Sequence, residues 1–352
     1  MNENPKGNAK EKGLAAKIPG GNTKDFLLNY ALYIILGVLI IAVILYEPKF
    51  VSVRNFTNIL SQASTRAILA LGVAGLIVLG GTDLSAGRIL GITAAISASL
   101  LQKLDYGARM YPNLPKLPIF LPLIISMLVG AAFGLFNGFG VAKLKLHAFI
   151  ATLGTQLIVF GLLQTYIDRP PLGAQPISTL NESYLAFVNG ALTLGTVRIP
   201  YLIFYAAAIA VIMYIVWNKT TLGKNMFAIG GNSEAAAVSG VNITKNIMIV
   251  YLISGLLYGL AGYLEAARIG SVTSSTGANY ELDAIASCVV GGVSFSGGVG
   301  TIPGIMIGAV ILQFLNYGLN FIGINVYLQT IIKGIIIITA VAIDVRKYIA
   351  KK

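Results

Sequence analysis

Charge is what this 352-residue chain has least of: 11% of its residues are Asp, Glu, Lys or Arg, against about 25% in an average soluble domain. A surface so poor in charge cannot face water on every side, which excludes an ordinary soluble protein. One cysteine, Cys288, excludes a disulfide framework, and one histidine, His147, leaves no basis for a His-rich metal site. The sequence has no G-x-x-x-x-G-K-[ST], no H-E-x-x-H, no G-x-S-x-G and no paired CxxC. Gly223-Lys224 is followed by Asn225 and lacks the earlier glycine of a phosphate loop. These absences speak against a membrane-embedded enzyme and imply no cofactor. If the protein uses energy, another subunit supplies it.

What is present is apolar: 56% of residues are hydrophobic, 40 are glycine, and the mean hydropathy is +0.80. A polytopic all-α membrane protein fits, with lipid solvating its exterior. Ten apolar runs are expected to span, at 26–46, 60–82, 87–102, 117–142, 148–167, 199–217, 246–268, 284–299, 301–318 and 327–344. Residues 284–332 carry no charge, and Pro303, the glycines and Asn320/Asn325 divide that stretch. Residues 1–25, rich in Lys, Gly and Asn, read as a disordered cytoplasmic tail without a signal-peptide pattern.

The net charge of +12 reads as orientation, not as nucleic-acid binding. With both termini inside, the inner segments 1–25, 143–147, 218–245 and 344–352 hold 14 Lys/Arg and 5 Asp/Glu. The outer segments 47–58, 103–116, 168–198, 269–282 and 319–326 hold 7 and 5. That asymmetry supports an N-in/C-in arrangement. Trp217 and Tyr348 fall where interfacial aromatics belong.

One signature occurs twice, 211 residues apart: Gly80-Gly81-Thr82-Asp83-Leu84-Ser85-Ala86-Gly87 and Gly291-Gly292-Val293-Ser294-Phe295-Ser296-Gly297-Gly298. Repeated glycine breaks between short apolar runs point to a transport pathway at a repeat interface; two tight turns are the bland alternative. Asp83 and its counterpart Ser294 can cap the chain that follows or line a path. Gly130/Gly134/Gly138, Gly255/Gly259 and Gly300/Gly304/Gly308 are small-residue seams, expected to pack within one subunit. Glu265 and Arg268 can pair on one helix face. Lys333 is expected to snorkel or pair. Asn137, Gln156, Gln164, Gln313 and Asn316 are amides that could line a path or bond between helices.

The longest inner loop, 218–245, encodes one short helix. Asn232 or Ser233 can cap it, Glu234 suits its N-terminus, Ala235-Ala236-Ala237 favour it, and Gly240 ends it. Its E-A-A-x-x-x-G run, Glu234–Gly240, resembles the coupling-helix motif of ABC importer permeases. N-K-T-x-x-G-K-N-x-x-A-I-G-G-N around it, G-T-D-L-S-A-G at Gly81–Gly87, and E-L-D-A-I-A-x-C-V-V-G-G-V-S-F-S-G-G-V-G-T at Glu281–Thr301 together resemble the monosaccharide branch of that family. The resemblance runs from about residue 26 to the C-terminus.

That resemblance implies a permease subunit for galactose or methyl galactoside in a bacterial inner membrane, working as a homodimer. It implies a cytoplasmic ATPase chain and an external sugar-binding protein as partners. Glu234, Ala235, Ala236 and Gly240 are then expected to contact the ATPase. Asp83, Ser85, Asn137, Gln156, Gln313 and Asn316 are the path or gate candidates, and Arg169 and Arg198 are expected to help dock the binding protein. A secondary transporter that needs no ATPase is the competing reading, and the displayed helix separates the two.

Overall fold

The computed structural model describes residues 23–170, 173–195 and 197–349. Residues 1–22 of the expected tail lie outside the described residues, as does the Tyr348 side chain. The order is α1 (Thr23–Tyr46), α2 (Val53–Val78), α3 (Ala86–Leu100), α4 (Phe120–Ala142), α5 (Ala148–Asp168), α6 (Glu182–Asn189), β1 (Ala191–Leu194), β2 (Val197–Pro200), α7 (Tyr201–Lys219), α8 (Thr221–Gly231), α9 (Ser233–Val238), α10 (Ile243–Ile269), α11 (Tyr280–Val290), α12 (Ile302–Phe321) and α13 (Val326–Ile349). Among the described residues, six helices are long and apolar enough to cross a bilayer: α2, α4, α5, α7, α10 and α12.

The all-α expectation needs one correction. β1 and β2 form an antiparallel hairpin, with Leu194 opposite Val197. Gly195, at φ +61, opens its turn. Trp217 is a second correction. It is 3% exposed and packs edge-on against Phe227, so it belongs to the core and not to a bilayer interface.

α2 occupies the centre. The apolar window of α2 is 83% buried, whereas those of α5 and α7 are 22% buried. Leu157, Ile158, Val211 and Ile215 stand exposed on those two peripheral helices, as a hydrocarbon-facing surface requires. α4 and α10 approach backbone to backbone. A Cβ on Gly130 would lie 2.2 Å from the Gly255 carbonyl, and one on Gly259 would lie 2.2 Å from the Ser126 carbonyl. The glycine seams therefore close within one chain.

Several intramembrane charges pair, across helices or along one helix. Arg66 on α2 and Lys333 on α13 both bridge to Asp283 on α11. Glu265 takes two 2.7 Å hydrogen bonds from Arg268 and further ones from Thr65 and Tyr280. Leaving any of these charges alone in apolar surroundings would be costly, and pairing removes that cost.

Two segments depart from the run pattern. The run at 284–299 is helical only to Val290, and residues 291–301 form a glycine-rich loop. The segment 269–282, expected outside, enters the bundle: Val272, Thr276 and Gly277 are buried. It packs on the start of α3, where a Cβ on Gly91 would lie 2.4 Å from the Thr276 carbonyl. Such irregular backbone is tolerated at depth because protein covers it. The N-termini of the short helices α3 and α11 thereby meet: a Cβ on Gly87 would lie 2.1 Å from Glu281 Oε2 and 3.1 Å from the Glu281 nitrogen. From there α3 runs toward the hairpin end, where Lys103 bonds Glu182 of α6. α11 runs toward the α9 end, where the Gly298 N–H bonds the Val78 carbonyl.

Candidate functional site

Three features gather the polar and exposed chemistry: α9, the first glycine break and the hairpin end. At α9 the sequence specifies both caps. Asn232 Oδ1 accepts the Ala235 N–H at 2.9 Å. Gly240, at φ +84, closes the other end, with its N–H on the Ala237 carbonyl and the Val241 N–H on the Ala236 carbonyl, both at 3.0 Å. That pair of bonds is a Schellman closure, which glycine adopts without strain. Glu234, Ala235 and Gly240 are exposed as expected. Ala236 is the exception: at 5% exposed it faces inward, so it cannot offer its side chain to a partner. Val238 stands 91% exposed in its place. A periodicity argument applied inside the motif would have found it, since Ala236 and Val238 fall on opposite faces of one short helix.

The first break holds a buried polar chain. Asp83 Oδ1 accepts the Ser85 N–H at 2.8 Å and the Ser85 hydroxyl at 2.5 Å. Ser85 Oγ in turn accepts from Asn137 Nδ2 at 2.9 Å, and Asn137 Oδ1 accepts from Thr155 at 2.6 Å. Thr152 accepts the Leu84 N–H. Asp83, Ser85, Asn137 and Thr155 are each 1% exposed or less. The chain ties α4 and α5 to the start of α3 and contains no cation. Asp83 lies at the N-terminal end of α3, whose aligned peptide dipoles favour a negative group there. Asp83 and Tyr258 are buried neighbours that interact through their side chains.

The six path candidates do not form one set. Asp83, Ser85 and Asn137 come together, sealed from solvent in this conformation. Gln156 donates to Glu281 Oε1 at 3.3 Å, next to the N-terminus of α11. Gln313 on α12 bonds Gln62 on α2 at 2.9 Å. Asn316 lies half-buried further along α12. Thr155, Tyr258, Gln62 and Glu281 were missed. Glu281 was missed because its segment reads as a loop.

The hairpin end carries the two arginines. Arg169 is pinned: it donates to the Tyr111 hydroxyl and lies over the rings of Tyr166 and Tyr111, 4.2 and 5.0 Å from their centroids. Arg198 on β2 is exposed and borders a cleft of about 740 Å³ with Arg54, Thr57, Asn58, Ser61 and Asn189. Lys103 donates to Glu182 at 2.6 Å and holds that carboxyl below its usual range.

Comparison with known proteins places these features in context. The profile of the branched-chain amino acid transport system / permease component family matches residues 55–341. The chain is 50% identical over 334 residues to the galactose/methyl galactoside import permease protein MglC of Escherichia coli, covering 94% of this chain and 99% of that one. It is 48% identical to the protein of the same name from Haemophilus influenzae, covering 93% and 97%. The ribose import permease protein RbsC of Escherichia coli is 37% identical, covering 92% and 96%. No solved structure matches the chain.

Proposed function

This chain belongs to the branched-chain amino acid transport system / permease component family, and from that premise we propose that it carries galactose or methyl galactoside across the bacterial inner membrane. It is the membrane subunit of an ABC importer and not itself an enzyme; ATP hydrolysis resides on a separate chain. The sugar comes from the names of its relatives at 48% and 50% identity.

The observation that carries the coupling part of this reading is α9, a short helix capped at both ends by its own residues and displayed beside the membrane bundle. A rigid knob of that kind suits contact with an ATPase through Glu234, Ala235, Val238 and Gly240. A secondary transporter has no use for it. In the proposed topology the α9 end and both termini face the cytoplasm, and the ten apolar runs make ten passes, with lipid around α5 and α7. Two copies of the chain pair in the assembly. Sugar passes near the meeting point of α3 and α11, with Asp83, Ser85, Asn137 and Gln156 closing the path in this conformation and Gln313 and Asn316 belonging to its α12 wall. The cleft bordered by Arg54 and Arg198 receives carboxylates on the rim of the external binding protein. Arg169, held by tyrosines, supports that surface without forming the contact.

The test is reconstitution with the ATPase chain and the binding protein. Val238→Asp should weaken ATPase association about thirtyfold, as loss of a central apolar anchor does, and Ala235→Trp should block it by bulk. Both variants should still insert and purify like the parent. Wild-type association and sugar uptake in both would overturn the coupling assignment.

A further inference from the structure

We propose that Gly230 is the bearing through which motion of α9 reaches both glycine breaks, making it a positioning residue for transport; this rests on the coupling reading of α9 given above. Gly230 is near the end of α8, and it touches two other segments by backbone alone. A Cβ there would lie 1.7 Å from the Val78 carbonyl and 2.6 Å from the Gly298 nitrogen. The second break answers in kind: a Cβ on Gly297 would lie 2.5 Å from the Gly230 carbonyl. The two partners are also bonded to each other, the Gly298 N–H donating to the Val78 carbonyl at 2.8 Å. Val78 is the last residue of α2, two positions before the first break begins at Gly80. One contact point therefore joins the end of α2, the second break and α8.

The link from α9 to that point is short and stiff. One residue, Asn232, separates α8 from α9. Its N–H bonds the Ala228 carbonyl at 3.0 Å and its side chain caps α9 at Ala235, so it closes one helix and opens the next without a flexible linker. α8 is seated along its length. Met226 and Ile229 are buried, Phe227 packs on Trp217, and a Cβ on Gly223 would lie 2.0 Å from the Trp217 carbonyl. A displacement of α9 cannot be absorbed between the two helices and is delivered at Gly230. There it bears on the terminus of α2 and on the loop between α11 and α12. Packed interfaces respond to such shifts by switching between discrete arrangements, so the two breaks move together.

The experiment follows thiol labelling at Val299→Cys, a position 57% exposed on the second break, with the native Cys288 silent at 0% exposed. The labelled permease is assembled with its ATPase chain, and labelling is compared with and without ATP. Three changes are added in turn: Gly230→Ala, a two-glycine insertion between Gly231 and Asn232, and Gly231→Ala, where a Cβ meets nothing within 4 Å. The insertion leaves the bearing intact and softens only the link, so the test survives if Gly230→Ala fails to fold. Gly230→Ala and the insertion should retain the ATPase chain yet reduce the ATP-dependent change in labelling about tenfold, the size of an ordinary coupling between sites. Gly231→Ala should respond like the parent. A parent that shows no ATP-dependent change overturns the coupling reading and this proposal with it. A normal parental response shared by both disrupting variants overturns this proposal alone.

Discussion

In the first break α2 closes on Gly80 and the chain turns at Asp83; in the second, α11 closes on Gly292 and the chain turns at Ser294. Both helix ends use the same closure, with Gly80 and Gly292 each at φ +83. Gly81 N–H bonds Leu76 and Val293 N–H bonds Cys288, both at 2.9 Å. Both turns use the same device too, a side-chain oxygen accepting the N–H two residues on: Asp83 from Ser85 at 2.8 Å and Ser294 from Ser296 at 3.2 Å. The closures are 212 residues apart and the turns 211, so the second copy is one residue shorter between them. What differs is the surroundings. The first break sinks its carboxylate into a dry chain reaching α4 and α5, while the second lays its Gly297 and Gly298 backbone against α8. One backbone plan thus serves as a polar anchor in one half and as a close backbone contact in the other.

The anchor is where a substitution should do most damage. Asp83→Ala leaves the Ser85 N–H and hydroxyl as buried donors without an acceptor, at about 1–3 kcal/mol each. The links from Ser85 through Asn137 to Thr155 do not involve Asp83 and should remain. Asp83→Asn keeps an oxygen for both donors and should lose far less. Thermal unfolding of the two purified variants in detergent checks this, with the alanine variant expected to melt well below the asparagine one. Equal losses would mean that the negative charge, and not the accepted hydrogen bonds, holds the break, and the likeness to Ser294 would be superficial.

The shared closures predict equality. Gly80→Ala and Gly292→Ala both put a Cβ into open space, with nothing within 4 Å, so neither meets a steric obstacle. Each forces a left-handed conformation on an L residue, at about 1–2 kcal/mol. The two variants should lower stability by the same amount in the same unfolding assay. A larger loss at Gly292 would show that the two closures are not energetically equivalent.

These breaks also mark how far the sequence could be read. The doubled signature and the Asp83–Ser294 correspondence are visible in the residues, because turn chemistry is local. α9 was legible for the same reason: a cap, a favourable acid, three alanines and a stopping glycine lie within nine positions, Asn232–Gly240. α8 was not, since Gly223, Gly230 and Gly231 made it look like loop and masked the helical spacing of Leu222, Met226 and Ile229. The inward path of 269–282 was hidden because tertiary cover, and not local composition, keeps it in the bundle. Glu281 was therefore assigned to the outside although it is 3% exposed. The hairpin went unread because its strands are four residues each, too short for alternation to register. Hydropathy located the apolar runs but could not say where within them a helix stops, as the end of α11 at Val290 illustrates.

The smallest effect should come from Ser294→Ala, and its smallness is the sharpest form of the comparison. The variant removes the side-chain acceptor of the Ser296 N–H, a 3.2 Å bond, at a residue that is 8% exposed. The backbone bond from the Ser294 N–H to the Val299 carbonyl, at 3.1 Å, does not depend on the side chain. The loop is further held where Gly298 bonds Val78. The loss of that bond is worth about 1 kcal/mol, and stability in detergent should fall less than in Asp83→Ala. Transport should also persist, because the contact with Gly230 is made by glycine backbone that this substitution leaves in place. A loss as large as that of Asp83→Ala would mean that Ser294 holds the second break as tightly as Asp83 holds the first. The second break would then be held by its own polar side chain, as the first is.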